Sequence, residues 1–381
     1  MIYLDNSATT RVLDAAADAA RSAMTEAFYN PAGSYGPAVQ TEHTVEACRN
    51  RLAAALGRTG EEIVFTSGGT ESNNMAILGT VNARRGKKRI VTCMTEHPSM
   101  YEEVRSLEQR ADVEAVYIGT DASGAASMEE LAAALTADTA LVSLMQVNNE
   151  TGAVTNLTEA HALIRKNAPN ALFHVDGVQA FCKLPFSEIP CDLYSISAHK
   201  FHAPKGVGAL LIKKGAAFAG GQIGGGQERG IRSGTTNVPG ILGMDAALAA
   251  YRLNQPLWLR QMRACKERLA ANLLSIPDAA VNGPAVAAGA GHILNVSFPG
   301  VRGEVLLNAL SERGVCVSTG SACSAHKRGK NRVLTATGIT GERQDGTLRF
   351  SFCPFNTLEE MDTVAGYLNE LVTFLRRYKR R

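Results

Sequence analysis

The stretch 195–208 carries two lysines directly after an apolar run and reads SISAHKFHAPKGVG. Lys200 lies between two histidines, whereas Lys205 lies in a Pro-Lys-Gly turn. A lysine that loses its proton is a nucleophile for carbonyl groups, so either residue is a candidate reagent. The alternative is that both are charged residues at the end of a strand.

Further polar residues follow other apolar runs of the chain. In open α/β sheets, ligands bind beyond the carboxyl ends of the strands, so these exits form one candidate site. The exits carry the following residues: Gly69 and Thr70 after 62–67, His97 after 89–94, Asn149 after 140–147, Asp176 and Gln179 around the end of 171–177, and Ser197, His199 and Lys200 after 192–197.

This combination of residues fits pyridoxal phosphate. The cofactor needs a lysine for a Schiff base, an acid against its ring nitrogen and an anion site for its phosphate. Lys200 and Asp176 are candidates for the first two, and the glycine-rich start of a helix at Gly69 and Thr70 is a candidate for the third. Each feature alone has an ordinary structural explanation, such as a turn or a helix cap, but together they favour the cofactor.

The elements that must position these residues alternate between strand and helix. Seven short apolar runs, at 62–67, 89–94, 113–119, 140–147, 171–177, 192–197 and 208–213, are apolar on both faces, and helical stretches lie between several of them at 70–85, 127–136 and 157–168. This pattern predicts a mostly parallel α/β sheet covered on both sides. After about residue 240 a long helix and strands at 293–298 and 347–352 predict a smaller α+β domain with a half-exposed sheet.

Composition limits the function classes. The chain has 381 residues, 45% hydrophobic and 20% charged, with a net charge of +3. These values are ordinary for a globular protein with a sizeable core, and the charge gives no indication of nucleic-acid binding. No apolar run reaches the length of a membrane span and no secretory signal is visible, so we expect a cytoplasmic protein. The eight scattered cysteines form no CxxC pair and predict no metal site.

Ordered motifs along almost the whole chain resemble the cysteine desulfurases, group I, of the fold-type-I pyridoxal-phosphate superfamily, the class-V aminotransferases. The matching segments are YLDNSATT (3–10), NPAGSYG (30–36), FTSGGTESNN (65–74), TEHP (95–98), QVNNETG (146–152), HVDGVQ (174–179), SAHKFHAPKGVG (197–208), GGGQERGIRSGTTNV (224–238), STGSACS (318–324) and LRFSF (348–352). The resemblance implies an N-terminal segment (1–13) packed on the small domain, a large cofactor-binding domain (14–258) and a small C-terminal domain (259–381).

The resemblance also implies roles for single residues. Lys200 would form the Schiff base, with Lys205 left as a turn residue, and His97 would stack on the ring and assist at the substrate thiol. Asp176 would pair with the ring nitrogen and Gln179 with the ring hydroxyl. The phosphate would be held by Gly69, Thr70, Ser197 and His199, and by Thr235 from a partner subunit, which implies a homodimer. The substrate carboxylate would be held by Asn149 and Arg349.

The second expected reagent is Cys323, in STGSACSAHKRGKN. Its neighbours include four basic residues, His326, Lys327, Arg328 and Lys330, and nearby cations favour the nucleophilic thiolate. The hypothesis is that Cys323 takes sulfur from L-cysteine, leaving L-alanine and a persulfide. The basic run after Cys323 differs from the acidic, proline-containing run of many scaffold-serving members. The acceptor is therefore left open between an iron-sulfur scaffold, a tRNA-thiolating enzyme and another protein.

Two alternatives to a desulfurase stay open at this point. Another pyridoxal-phosphate enzyme of the same fold, such as a selenocysteine lyase or an aminotransferase, needs Lys200 and Asp176 but has no strict need for Cys323. A non-catalytic sulfur carrier or scaffold that binds partners is the second alternative, and the intact Lys200, Asp176 and His97 argue against it. Alanine and sulfide formed from L-cysteine would distinguish a desulfurase from both.

Overall fold

The computed structural model describes residues 1–319 and 331–378. Its strands are β1 (Ile2–Tyr3), β2 (Ile63–Thr66), β3 (Lys88–Cys93), β4 (Val113–Ile118), β5 (Thr139–Met145), β6 (Leu172–Asp176), β7 (Leu193–Ser197), β8 (Gly208–Ile212), β9 (Ala280–Val281), β10 (Ile293–Ser297), β11 (Val315–Cys316) and β12 (Thr347–Ser351). Its α-helices are α1 (Asp14–Thr25), α2 (Gly36–Ala55), α3 (Gly69–Asn82), α4 (Pro98–Leu107), α5 (Met128–Ala134), α6 (Leu157–Asn167), α7 (Val238–Leu273), α8 (Gly303–Glu312), α9 (Arg332–Ala336), α10 (Gly341–Asp345) and α11 (Leu358–Tyr378).

The seven strands β2 to β8 form one sheet in the spatial order β2-β8-β7-β6-β5-β3-β4. Strand β8 runs antiparallel to both of its neighbours, and the other adjacent pairs are parallel. Strands β2, β5, β6 and β7 are buried at every residue, as their two-faced apolar sequences predict. The predicted α/β fold with a mainly parallel seven-stranded sheet is confirmed.

A second core lies under the remaining strands. Strand β10 pairs antiparallel with β12 and β9, and β1 pairs in parallel with β11. Phe298, Leu348 and Phe350 are buried in this core together with residues of α8 and α11. The 36-residue helix α7 contributes to both cores, with Ile241 and Tyr251 in the first and Cys265 and Leu269 in the second. The predicted boundary after residue 258 therefore falls inside one continuous helix and stays a prediction.

The expectation of a half-exposed sheet in the small domain is wrong for β12, which is buried at all five residues. The segment after β1 covers its polar face. The backbone N–H of Ser7 donates to Ser351 Oγ over 2.8 Å, and the N–H of Ser351 donates to the carbonyl of Leu4 over 2.7 Å. The polar residues that alternate along β12 thus bind protein groups rather than water.

Candidate active site

A cavity of about 560 Å³ opens where β2, β5, β6 and β7 end. Because carboxyl ends of parallel strands meet at one edge, residues distant in sequence converge there. Ten of the twelve predicted site residues line this cavity: Gly69, Thr70, His97, Asn149, Asp176, Gln179, Ser197, His199, Lys200 and Arg349. Lys205 also lies at its wall as an exposed residue in the bend before β8.

Asp176 is the last residue of β6 and is 1% exposed. Its Oδ2 accepts a hydrogen bond from Asn73 Nδ2 at 2.8 Å, and its Oδ1 accepts one from the backbone N–H of Val178 at 2.9 Å. Both oxygens of this buried carboxylate therefore have hydrogen-bond donors, as buried polar groups require. Asn73 lies on α3, and the sequence analysis assigned it no role.

Lys200 ends a helical turn that follows β7 directly. Its Nζ donates to the carbonyl oxygens of Ser7 and Ala8, at 2.7 and 2.8 Å. The same segment binds the neighbouring histidine, because Thr9 Oγ1 lies 3.1 Å from His199 Nδ1. Burial lowers the pKa of His199 to about 4, so its imidazole is neutral at physiological pH. Residues 7–9 are therefore a wall of the cavity that the sequence analysis did not predict.

The start of α3 presents backbone N–H groups to the cavity. Gly68, the residue before the helix, has a φ of 151° and provides no side-chain cap. A Cβ on Gly69 would lie 2.7 Å from Val178 Cγ2 and 3.4 Å from Ser197 Cβ. Glycine is therefore required for the close approach of the helix start to β6 and β7. Uncapped N–H groups beside hydroxyl side chains are the kind of groups that bind anions, so the phosphate site expected here stays a prediction.

His97 directly precedes α4 and lines the cavity. Its Nδ1 accepts a hydrogen bond from the backbone N–H of Ser99 at 3.1 Å, so the neutral ring carries its proton on Nε2. Burial lowers the pKa of His97, which favours this neutral form. The ring can therefore stack on a flat ligand and donate a hydrogen bond from Nε2.

Arg349 enters the cavity from the buried strand β12. Its Nη1 donates to the carbonyl of Asn149 at 3.0 Å, and its Nη2 donates to Asp5 Oδ1 at 2.7 Å. The Nε–H is buried and makes no hydrogen bond within residues 1–319 and 331–378. A guanidinium has five donors, so donors remain for a substrate carboxylate. Glu150, beside it, has its pKa raised to about 7 by burial and accepts from Asn331 at 2.7 Å.

One described residue among those predicted, Thr235, does not line the cavity. Thr235 is exposed, in the segment that precedes α7. Cys323 and its four basic neighbours lie outside the described residues. The sequence analysis missed Asp5, Ser7, Asn73 and Glu150, although all four fall within motifs quoted for the resemblance. Ser7 acts through its backbone carbonyl and Asn73 through a single amide hydrogen bond, and neither contact can be recognised from the residue type.

The residues of the cavity fit pyridoxal phosphate on three structural grounds. A buried carboxylate with both oxygens hydrogen-bonded suits a protonated ring nitrogen. The lysine Nζ lies in the same cavity as that carboxylate. The third ground is the uncapped helix start, which approaches Val178 and Ser197 too closely for a residue with a Cβ at position 69.

The model of one protein family, described as aminotransferase class-V, matches residues 2–364. A cysteine desulfurase of Trichormus azollae is 38% identical over 379 residues, which cover 99% of this chain and 94% of that protein. The chain belongs to this family, among its cysteine desulfurases. A cysteine desulfurase, IscS, of Methanosarcina thermophila is 39% identical over 380 residues, covering 98% and 93%.

Solved structures agree with this membership. A NifS-like protein superposes with a TM-score of 0.91 at 34% identity, covering 98% of this chain and 99% of its own. DndA from Streptomyces lividans superposes with a TM-score of 0.77 at 34% identity, covering 91% and 98%. The predictions of family, fold, enzyme class and pyridoxal-phosphate dependence are confirmed. Among the described residues, no helix is long and apolar enough to cross a bilayer.

Proposed function

We propose that this chain removes sulfur from L-cysteine, producing L-alanine and a persulfide on Cys323. The observation that carries the proposal is the convergence of Asp176, Lys200, the α3 start and Arg349 on one cavity. A desulfurase needs an acid, an amine, an anion site and a carboxylate anchor together. Relatives named cysteine desulfurase over 99% of the chain support this reaction. A solved relative, SspA, is in complex with cysteine and superposes with a TM-score of 0.81.

Six side chains of the cavity and the start of α3 would hold the cofactor. Lys200 would bond to its aldehyde carbon, Asp176 to its ring nitrogen and Gln179 to its ring hydroxyl. The phosphate would lie against the N–H groups of α3 with Thr70, Ser197 and His199. When bound, pyridoxal phosphate supplies an electron sink for the electrons released at the substrate Cα.

The protein groups then bind the substrate and move protons. Arg349 and Asn149 would orient the substrate carboxylate, because the guanidinium is held on two sides by Asp5 and the Asn149 carbonyl. The Lys200 amine would take the Cα proton. His97 would donate a hydrogen bond from Nε2–H to the substrate sulfur, because its Nδ1 already accepts one from Ser99.

The sulfur would pass to the Cys323 thiolate. A bond forms between Cys323 Sγ and the substrate sulfur, and the bond between that sulfur and the substrate Cβ breaks. The electron pair stays with the carbon skeleton, which takes up protons and leaves as L-alanine. Hydrogen atoms balance, because L-cysteine and one thiol become L-alanine and one persulfide. The persulfide is then the donor for an acceptor protein.

A homodimer is part of the proposal. Thr235 is exposed and lies outside the cavity of its own chain, as a phosphate ligand for a partner's site would. The acceptor is proposed to be an iron-sulfur scaffold protein or a tRNA-thiolating enzyme. We place the chain in the cytoplasm, where its cysteines stay reduced. The seven described cysteines are free and mostly buried.

The test uses purified protein saturated with pyridoxal phosphate, supplied with L-cysteine and a thiol reductant. We expect L-alanine and sulfide in equal amounts, and a persulfide on Cys323 by mass spectrometry when the reductant is omitted. Cys323→Ala should keep the visible absorbance of the bound cofactor and form no persulfide. Cys353→Ala, which changes a half-buried thiol, is the control. Wild-type protein that produces a keto acid instead of L-alanine would refute the proposal.

A further inference from the structure

A second lysine lies just behind the cavity and has no part in the reaction described so far. Lys183 is 4% exposed, and its Nζ donates to Gln179 Oε1 at 3.1 Å. The two residues are four positions apart in the turn that follows β6. Burial lowers the pKa of Lys183 to about 7, with the nearby charge of Lys200 acting in the same direction. Near neutral pH the amine is therefore often uncharged, which lets it stay buried with a single carbonyl-type partner.

Two contacts fix the orientation of the Gln179 amide. Its other end lies 2.9 Å from the carbonyl oxygen of Ser7. A carbonyl oxygen can only accept, so the group that faces Ser7 must be the NH₂ of the amide. The amide oxygen therefore faces Lys183, which can donate to it as an amine or as an ammonium. Gln179 lines the cavity, so the second N–H of its amide is left for an acceptor there.

The same carbonyl oxygen joins this pair to the reactive lysine. Ser7 O accepts from Lys200 Nζ at 2.7 Å as well as from Gln179 Nε2. Lys183, Gln179, Ser7 and Lys200 thus form one hydrogen-bonded series. A flipped amide would place its oxygen against the Ser7 oxygen, where neither group can donate, and its NH₂ against Lys183, which as an ammonium has no lone pair to accept.

We propose that Lys183 is a positioning residue, which keeps the NH₂ of Gln179 directed to the cofactor's ring oxygen. The inference rests on the proposed function, in which Gln179 binds that oxygen. A donor at this place stabilises the deprotonated ring oxygen, so Lys183 strengthens cofactor binding without touching the cofactor. Loss of Lys183 leaves the Gln179 oxygen buried without a donor and frees the amide to turn.

The test measures pyridoxal-phosphate affinity by absorbance titration of cofactor-stripped full-length protein. Lys183→Met should weaken binding about tenfold, as expected for one lost hydrogen bond with an unsatisfied buried partner. It should also move the pH midpoint of the cofactor's visible band upwards, because the ring oxygen loses its donor. The matched control is Lys266→Met. Lys266 is a buried lysine whose Nζ donates to the carbonyl of Ala290 at 3.0 Å rather than to Gln179.

A double-mutant cycle separates positioning from general stability. Gln179→Leu alone should weaken binding by a similar factor, and Lys183→Met added to it should cause no further loss. Equal affinity and an unmoved pH midpoint in Lys183→Met would overturn the inference, as would additive effects. If Lys183→Met fails to fold, Lys183→Leu, which also lacks a donor, must show the same loss. Wild-type protein that binds no cofactor would instead refute the proposed function.

Discussion

Arg349 Nη2 and Asp5 Oδ1 lie 2.7 Å apart, in an ion pair that joins β12 to the segment after β1 across 344 positions of sequence. The guanidinium is 3% exposed and the carboxylate 20%. Because the arginine is shielded from water, the attraction between the two charges is screened less than in an exposed surface pair. Its effect is to fix the plane of the group that would bind the substrate carboxylate.

Asp5→Asn should therefore raise the KM for L-cysteine about tenfold, with a smaller change in kcat, since the loss affects substrate binding before the chemical step. Steady-state alanine formation measures both constants. Asp14→Asn is the control, because Asp14 pairs with Arg11 on the surface, where both side chains are more than 80% exposed. A KM for Asp5→Asn that equals the control would contradict the positioning role.

Gly69→Ala should weaken the binding of pyridoxal phosphate about tenfold and leave the binding of unphosphorylated pyridoxal unchanged. The new Cβ would lie 2.7 Å from Val178 Cγ2 and push the helix start away from the phosphate. Absorbance titrations with the two ligands measure the difference. Gly366→Ala is the control: nothing lies within 4 Å of the added Cβ in α11, so it should only stabilise the helix. An equal loss for both ligands would argue against a phosphate site here.

Glu150→Gln should make the free energy of unfolding depend less on pH between about 4.5 and 7. Burial raises the pKa of Glu150 from 4.5 to about 7, so over this range the folded state holds a proton that the unfolded state has lost. The free energy of unfolding of the wild type therefore falls as the pH rises through this range, by about 3 kcal/mol at most.

Urea unfolding of both proteins at pH 5 and pH 8 gives the comparison. The variant should gain stability relative to the wild type at pH 8 but not at pH 5. The same difference between the two proteins at both pH values would show that Glu150 is ionised in the folded state throughout.

Mixed dimers should reveal whether Thr235 serves the partner's site. Lys200→Ala and Thr235→Trp are each expected to be nearly inactive as homodimers. After the two proteins are mixed and allowed to exchange subunits, the Thr235→Trp subunit keeps Lys200 and receives Thr235 from its partner. Random exchange makes half of the dimers mixed, and each mixed dimer has one complete site out of two. Activity should therefore rise to about a quarter of the wild-type value. Activity that stays at the level of the unmixed variants would place Thr235 in its own chain's site, and an active Thr235→Trp homodimer would place it in neither.

Much of the site can be predicted from the residues at the carboxyl ends of the predicted strands. Asp176, Ser197 and Lys200 follow two adjacent parallel strands, and topology alone brings their side chains together. The apolar sequences of β5 and β6 predict burial on both faces, which fixes where those exits lie. These features depend on short stretches of sequence, so the sequence indicates them.

The contribution of residues 5–9 does not follow from such patterns. Lys200 binds carbonyl oxygens of Ser7 and Ala8, and every residue has a carbonyl. For the same reason β12 suggested a solvent-facing strand: its alternating Thr347, Arg349 and Ser351 look like surface residues until their distant partners are known. Pairing across more than 300 positions is decided by the tertiary fold and leaves no local signature.

The dependence of the cavity on residues 5–9 also sets the order in which it can be assembled. Asn6 and Ser7 are held by Ser351, and β1, which precedes them, pairs with β11; the ribosome adds both of these partners after the whole of the large sheet. A nascent chain that already contains all of the large sheet still lacks the anchor for the carbonyl groups that receive Lys200. Capture of the vitamin during translation would therefore have to wait until strand β12 has left the exit tunnel.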